Sequence, residues 1–142
     1  MALQTESLRL TQASSLDSWL TRLQEQAHQE TVRSSAPEIA AELQRLFGQR
    51  IVASMTGVAD PKAVGRWARG EREPRAEAER ALRAVFQITR LLTLAESEET
   101  ARAWFIGMNP QFGDRAPFVI LSENPANAQN VLGAARAFVI NG

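Results

Sequence analysis

Residues 104–121 read WFIGMNPQFGDRAPFVIL. The apolar start of this stretch is the end of a helix. It breaks at Asn109-Pro110, because proline has no amide to donate and disfavours helical geometry at the residue before it. Gln111-Phe112-Gly113-Asp114 is then a turn, in which Gly113 is free to take positive φ. Pro117 suits the first turn of the next helix, where a missing N–H costs nothing. Two helices joined by a stiff elbow follow, and the corner carries Trp104, Phe105, Phe112 and Phe118 out of three Trp and six Phe in the whole chain.

Upstream of the elbow the periodicity is helical throughout. Leu16, Trp19, Leu20 and Leu23 fall at i, i+3, i+4, i+7 and predict an amphipathic helix over 16–29, after a polar and unpatterned start that reads as a mobile end. Its stripe can be covered by the body of the protein or by a second copy, and docking in cis is the commoner solution. His28 lies on a polar stretch and reads as a solvated surface histidine. A short linker over 31–36 leads to Pro37, which opens a helix with Ile39, Leu43, Leu46 and Phe47 inward. Gly48 ends it. A short helix Gln49–Thr56 follows, with Ile51 and Val52 inward and small Ala53 at a close approach, and Gly57 breaks it.

Asp60-Pro61 reads as an N-cap and a proline at the first helical position. The helix over 61–69 sets Val64, Trp67 and Ala68 on one side, with Lys62, Arg66 and Arg69 on the other. Arg72 and Arg75 flank it. Two short helices about a Gly turn, the second carrying basic residues opposite an apolar anchor, predict a helix-turn-helix. Charge points the same way. The net charge is zero, but residues 33–75 hold eight Lys/Arg against five Asp/Glu. Residues 1–32 hold two against four, and 76–142 six against seven. A basic excess confined to the middle third is what a DNA footprint would leave, so Lys62, Arg66, Arg69, Arg72 and Arg75 are the candidate DNA-binding residues.

From Arg75 to about Glu96 the apolar positions Ala78, Leu82, Val85, Phe86, Ile88, Leu91 and Leu92 widen from a stripe into nearly two faces. A helix apolar on two sides is covered on two sides, so this is the expected spine. Ser97 caps the following helix, with Glu98 and Glu99 suited to its positive dipole end. After Pro117 a short apolar helix reaches Ser122. Asn124-Pro125 then repeats a cap-plus-proline start, and the last helix places Val131, Leu132, Ala135, Phe138 and Val139 on one side. The fold expected is all-α. Residues 1–35 form an arm with an amphipathic helix, 36–75 a helix-turn-helix unit, and 76–142 a further helical unit joined to it by the spine.

The spacing Trp104, Asn109-Pro110, Gly113, Pro117, Leu121 resembles the C-terminal toxin-binding segment of the Xre/ParS-type antitoxins, which partner toxins of the RES-domain family. The run Val64-Gly65-Arg66-Trp67-Ala68-Arg69-Gly70 with Pro74 is similar to the end of an Xre-type module, although the turn before it is one residue longer than usual. The likeness extends over about residues 49–137. Where family members often carry Gly before the last helix, this chain has Asn124-Pro125-Ala126. The resemblance implies the antitoxin of a type II toxin-antitoxin system, acting as a homodimer or a larger complex with its toxin. It would inhibit an NAD-consuming RES toxin and bind its own operator. NAD would be the toxin's substrate, and the chain itself would need no cofactor. The expected toxin-binding residues are Trp104, Asn109, Pro110, Phe112 and Gly113 at the elbow, with Phe138, Val139, Ile140, Asn141 and Gly142 at an apolar chain end.

Other function classes have less to stand on. There is no cysteine and a single histidine, which removes zinc-finger and multi-histidine metal sites. No acid–base–nucleophile set, phosphate loop or dinucleotide fingerprint can be named, so an enzyme is not expected. No apolar run approaches the roughly 18 residues of a membrane span, and no signal-peptide core is seen, so a cytoplasmic location is expected. The alternative reading is a stand-alone helix-turn-helix regulator whose C-terminal unit serves dimerisation or an effector. Such a regulator needs no aromatic corner followed by an apolar chain end.

Overall fold

The computed structural model describes residues 2–142, with side chains from Ser15 onward. Among these residues the chain is all-helical: α1 Ala2–Arg33, α2 Ala36–Phe47, α3 Gln49–Thr56, α4 Lys62–Ala68, α5 Ala76–Ala95, α6 Glu98–Ile106, α7 Pro117–Glu123 and α8 Ala128–Asn141. Short 3-10 turns, Pro110–Phe112 and Pro125–Asn127, precede α7 and α8.

Several boundaries have a local chemical reason. Ser35 and Glu38 form a capping box at the start of α2, each side chain accepting from the other's backbone N–H at 3.3 Å. Ser97 Oγ accepts from Thr100 N–H at 3.0 Å to open α6. Asn124 Oδ1 accepts from Ala126 N–H at 3.0 Å and starts the turn into α8. Glu77 and Glu79 sit in the first turn of α5, where negative charge is favoured.

Helix α5 is the spine, with contacts to α1, α2, α3, α6 and α8. Its buried residues Ala78, Ala81, Leu82, Val85, Phe86, Ile88, Leu91 and Leu92 point to more than one side, which a helix covered on several faces requires. Helix α2 packs on α4, and α7 seats on α3. One continuous buried cluster therefore runs from Leu20 on α1 to Val139 on α8.

The first helix departs from its predicted extent. It is unbroken over Ala2–Arg33 rather than limited to 16–29. Any mobility of the first residues, and the side chains before Ser15, lie outside what the structure describes. The linker expected over 31–36 shrinks to Ser34-Ser35, and the Thr31 and Ser34 hydroxyls donate back to the Ala27 and Glu30 carbonyls at 2.7 Å. The helix docks in cis on α5. Leu20 and Ala27 are buried and Trp19 and Leu23 half-buried, whereas Leu16, expected on the same stripe, is 48% exposed. Arg83 Nη1 donates to the Thr31 and Ser34 carbonyls at 2.7 and 3.0 Å. It thereby supplies both hydrogen bonds and positive charge to the carbonyl end of α1. Glu30 accepts from Arg90 at 2.5 Å one turn earlier. His28 lies on the exposed side, its Nδ1 3.5 Å from Gln87 Oε1. No helix among the described residues is long and apolar enough to cross a membrane.

Candidate functional site

Two surfaces hold the residues singled out from sequence: the outer side of α4, and the elbow with the chain end beside it. On the first, Gly57 ends α3 in a left-handed conformation, φ 77°. A Cβ at this position would stand 3.2 Å from Pro125 Cγ, so the turn lies directly against the segment that leads into α8. Asp60 Oδ1 accepts from Lys62 N–H at 3.0 Å and caps α4. Val64 and Trp67 are buried beneath, at 0% and 3% exposure, and make Trp67 a core anchor. Gly65 is packed so closely that a Cβ would meet Gln49 Nε2 at 2.6 Å, and Gln49 in turn donates to Gln44 Oε1 at 3.0 Å. A side chain at this position would have to displace the tips of Gln49 and Arg69.

On the outward side Lys62 and Arg69 are exposed and Arg66 half-buried. Arg66 Nη1 lies 3.7 Å from Asp60 Oδ2. Arg69 is held more closely: Nε and Nη2 reach the two Glu71 carboxylate oxygens at 2.9 and 3.2 Å, a bidentate pair. The hydrogen-bonded guanidinium holds the Glu71 carboxyl below the usual carboxylate range, and the carboxylate raises the Arg69 pKa in return. Gly70 (φ 71°) follows in the left-handed region. Gly70 N–H bonds the Trp67 carbonyl at 3.0 Å and Glu71 N–H the Arg66 carbonyl at 2.9 Å, the paired bonds of a Schellman cap. Lys62, Arg72 and Arg75 are exposed, with no carboxylate in ion-pair range among the described residues. A cleft of about 360 Å3 beside the turn is lined by Trp67, Arg72 and Arg75 together with Asp60 and Glu73.

The elbow closes on itself. Asn109 N–H bonds the Arg115 carbonyl at 3.2 Å, and Phe112 and Asp114 N–H groups both reach the Asn109 carbonyl at 3.0 Å. The Asn109 side chain, 8% exposed, accepts from Gln111 N–H at 2.9 Å. Gly113 is left-handed as its place in the turn predicts, and Asp114 joins it at φ 65°. Arg115 reaches Glu123 on α7 at 2.6 Å and braces the far side.

The expected toxin-binding residues separate by burial. Trp104 and Val139 are buried in the chain's own core at 9% and 6%, and Asn109 shapes the loop from inside. Phe112 and Phe138 are half-buried. Pro110, Gly113, Ile140, Asn141 and Gly142 are exposed. The Trp104 ring stacks edge-on against Phe105 at 5.3 Å and lies 6.4 Å from Phe138, which brings the start of the elbow and the chain end together. Met108, not singled out from sequence, is the most exposed large apolar side chain described, at 82%. Its exposure follows from the break just after it: the helix has ended at Ile106 and Asn109 turns inward. Asp60 and Glu71 were also not anticipated as partners of the basic side chains. Gly70, as a cap signal, is the one sequence feature that folds Glu71 back toward Arg69.

No family model, curated protein or solved structure matches this chain.

Proposed function

We propose that this protein is the antitoxin of a type II toxin-antitoxin system. Its C-terminal surface, elbow and chain end together, covers an NAD-consuming RES-domain toxin, and its α3–turn–α4 segment acts as a helix-turn-helix on the operator DNA. The observation that supports the toxin arm most is the Trp104–Phe138 contact at 6.4 Å, which sets elbow and chain end side by side, with Met108 82% and Ile140 47% exposed. Large apolar side chains left in water beside a stiff corner suit a partner, since docking orders little that is not ordered already. The exposed Lys62, Arg72 and Arg75 support the DNA arm. The stand-alone regulator shares that arm and lacks the other.

The test is inhibition of a RES-domain toxin encoded beside this chain, followed as NAD consumption at equal stoichiometry. Removing residues 138–142 would also remove buried Val139 and the Phe138–Trp104 contact, so the informative variant is deletion of 140–142 combined with Met108→Asp. It is expected to melt normally, bind DNA normally and lose inhibition. Full inhibition by this variant would remove the proposed toxin surface. For the DNA arm, the Arg66→Ala/Arg69→Ala double variant should bind the upstream duplex more weakly. Its salt slope should be shallower by about 0.9 for each phosphate no longer neutralised. Unchanged affinity and slope would sink the assignment of these two residues.

A further inference from the structure

Three features of the outer side of α4 belong together: a bidentate Arg69–Glu71 pair, a backbone cap that fixes where Glu71 sits, and an acidic side chain with no other bond. The guanidinium fork matches carboxylate and phosphate with the same pair of parallel hydrogen bonds. Arg69 presents Nε and Nη2 to Glu71 at 2.9 and 3.2 Å, so one of the two bidentate faces that could meet a phosphate is already taken. The backbone brings residue 71 within reach of that fork. The Schellman bond from Glu71 N–H to the Arg66 carbonyl, 2.9 Å, returns the chain alongside the end of α4.

The cap needs Gly70 and the backbone of residue 71, and any side chain would serve it. Asp60 is different, because its carboxylate caps Lys62 N–H at 3.0 Å and has structural work whether or not Arg66 is near. Among the described residues, the Glu71 carboxylate bonds Arg69 alone. Both side chains remain more than half exposed, at 58% and 56%, so the pair is solvent-screened and exchangeable rather than locked.

We propose that Glu71 is a built-in phosphate surrogate: it occupies the Arg69 fork and holds down the affinity of the α4 face for duplex nucleic acid. This rests on the DNA arm of the proposed function and adds a residue that limits it. A backbone phosphate competes with the carboxylate for one guanidinium, so Arg69 contributes less than an unpaired arginine in the same place. Glu71 sets how tightly the protein holds DNA and how steeply that grip falls with salt.

The experiment titrates the full-length protein into two fluorescent duplexes, one from directly upstream of its reading frame and one scrambled, over a salt series. Glu71→Gln is expected to tighten binding by roughly two- to fivefold, the scale of one exposed ion pair. It should also steepen the salt slope by about 0.9 as Arg69 gains a phosphate. The gain should vanish in an Arg69→Gln background. Glu73→Gln, which removes an equal charge two residues on from a side chain without an ion pair, should give a smaller change and no new slope. The proposal is overturned if the wild-type protein binds and Glu71→Gln changes neither affinity nor slope. It is overturned equally if the gain persists in the Arg69→Gln background or is matched by Glu73→Gln, since charge removal alone would then explain it. If neither wild type nor Glu71→Gln binds either duplex, the DNA reading falls along with the proposal. Binding by Glu71→Gln alone supports both.

Discussion

From Asn109 to Arg115 the chain reverses on bonds that join one end of the corner to the other, from Asn109 N–H to the Arg115 carbonyl and from Asp114 N–H to the Asn109 carbonyl. From Gly57 to Pro61 it also reverses, but its bonds cap the two flanking helices separately. Val58 N–H reaches back to Ala53 at 3.1 Å, and Asp60 serves α4. What fixes this second corner is outside it: Trp67 below and Pro125 beside it. The elbow is stiff because of its own sequence, whereas the α3–α4 turn is stiff because of its neighbours. Substitutions should tell the two apart.

The largest effect is expected beneath the turn. Trp67→Ala opens a cavity under α4 and should cost about 3–5 kcal/mol in denaturant unfolding. A variant that melts like the wild type would show that the turn does not depend on its anchor. Asn109→Ala should cost less, about 1–3 kcal/mol, by leaving the Gln111 amide without its acceptor. Its signature is local: faster amide exchange at residues 111–115, with the region around 57–61 unchanged. Exchange that quickens at both corners would mean that the elbow is not self-closed.

Gly57→Ala comes next, at about 2 kcal/mol, from left-handed strain and the crowding against Pro125 Cγ at 3.2 Å. If the second term is real, Pro125→Ala should return part of the loss, a non-additivity read from a double-mutant cycle. Strict additivity would remove Pro125 as the support of the turn. Gly113→Ala should be the mildest, about 1 kcal/mol, because its φ of 63° is strained for alanine but its Cβ would meet nothing within 4 Å. It should show no coupling to Pro125.

The contrast also accounts for what could be read from the chain alone. Elements closed by local chemistry were legible: α3 begins and ends at Gln49 and Thr56 as predicted, and α5 starts one residue after Arg75, behind Pro74. The elbow's proline, glycine and asparagine gave its turn. Elements that depend on distant partners were not legible. The first half of α1 has no stripe, so periodicity could not extend the helix below Leu16. The seat of α7 on α3 joins residues far apart in sequence and leaves no spacing to detect. Counting charges by segment found the basic excess of 33–75 but not its distribution, because Asp60 and Glu71 meet Arg66 and Arg69 only once both caps have formed. At the elbow, aromatic content drew notice to the corner. It could not separate Trp104, which packs inward, from Met108, which does not.

The seat of α7 on α3 bears on how the chain can be taken apart. Val52 and Met55 on α3 and Leu121 on α7 are all sealed from water, at 0%, 0% and 1% exposure. A cut or recombination joint near Pro74 would part helices that shelter each other, and either fragment would present bare apolar surface and clump. Truncations and domain swaps jointed there would therefore report solubility where they were meant to report activity.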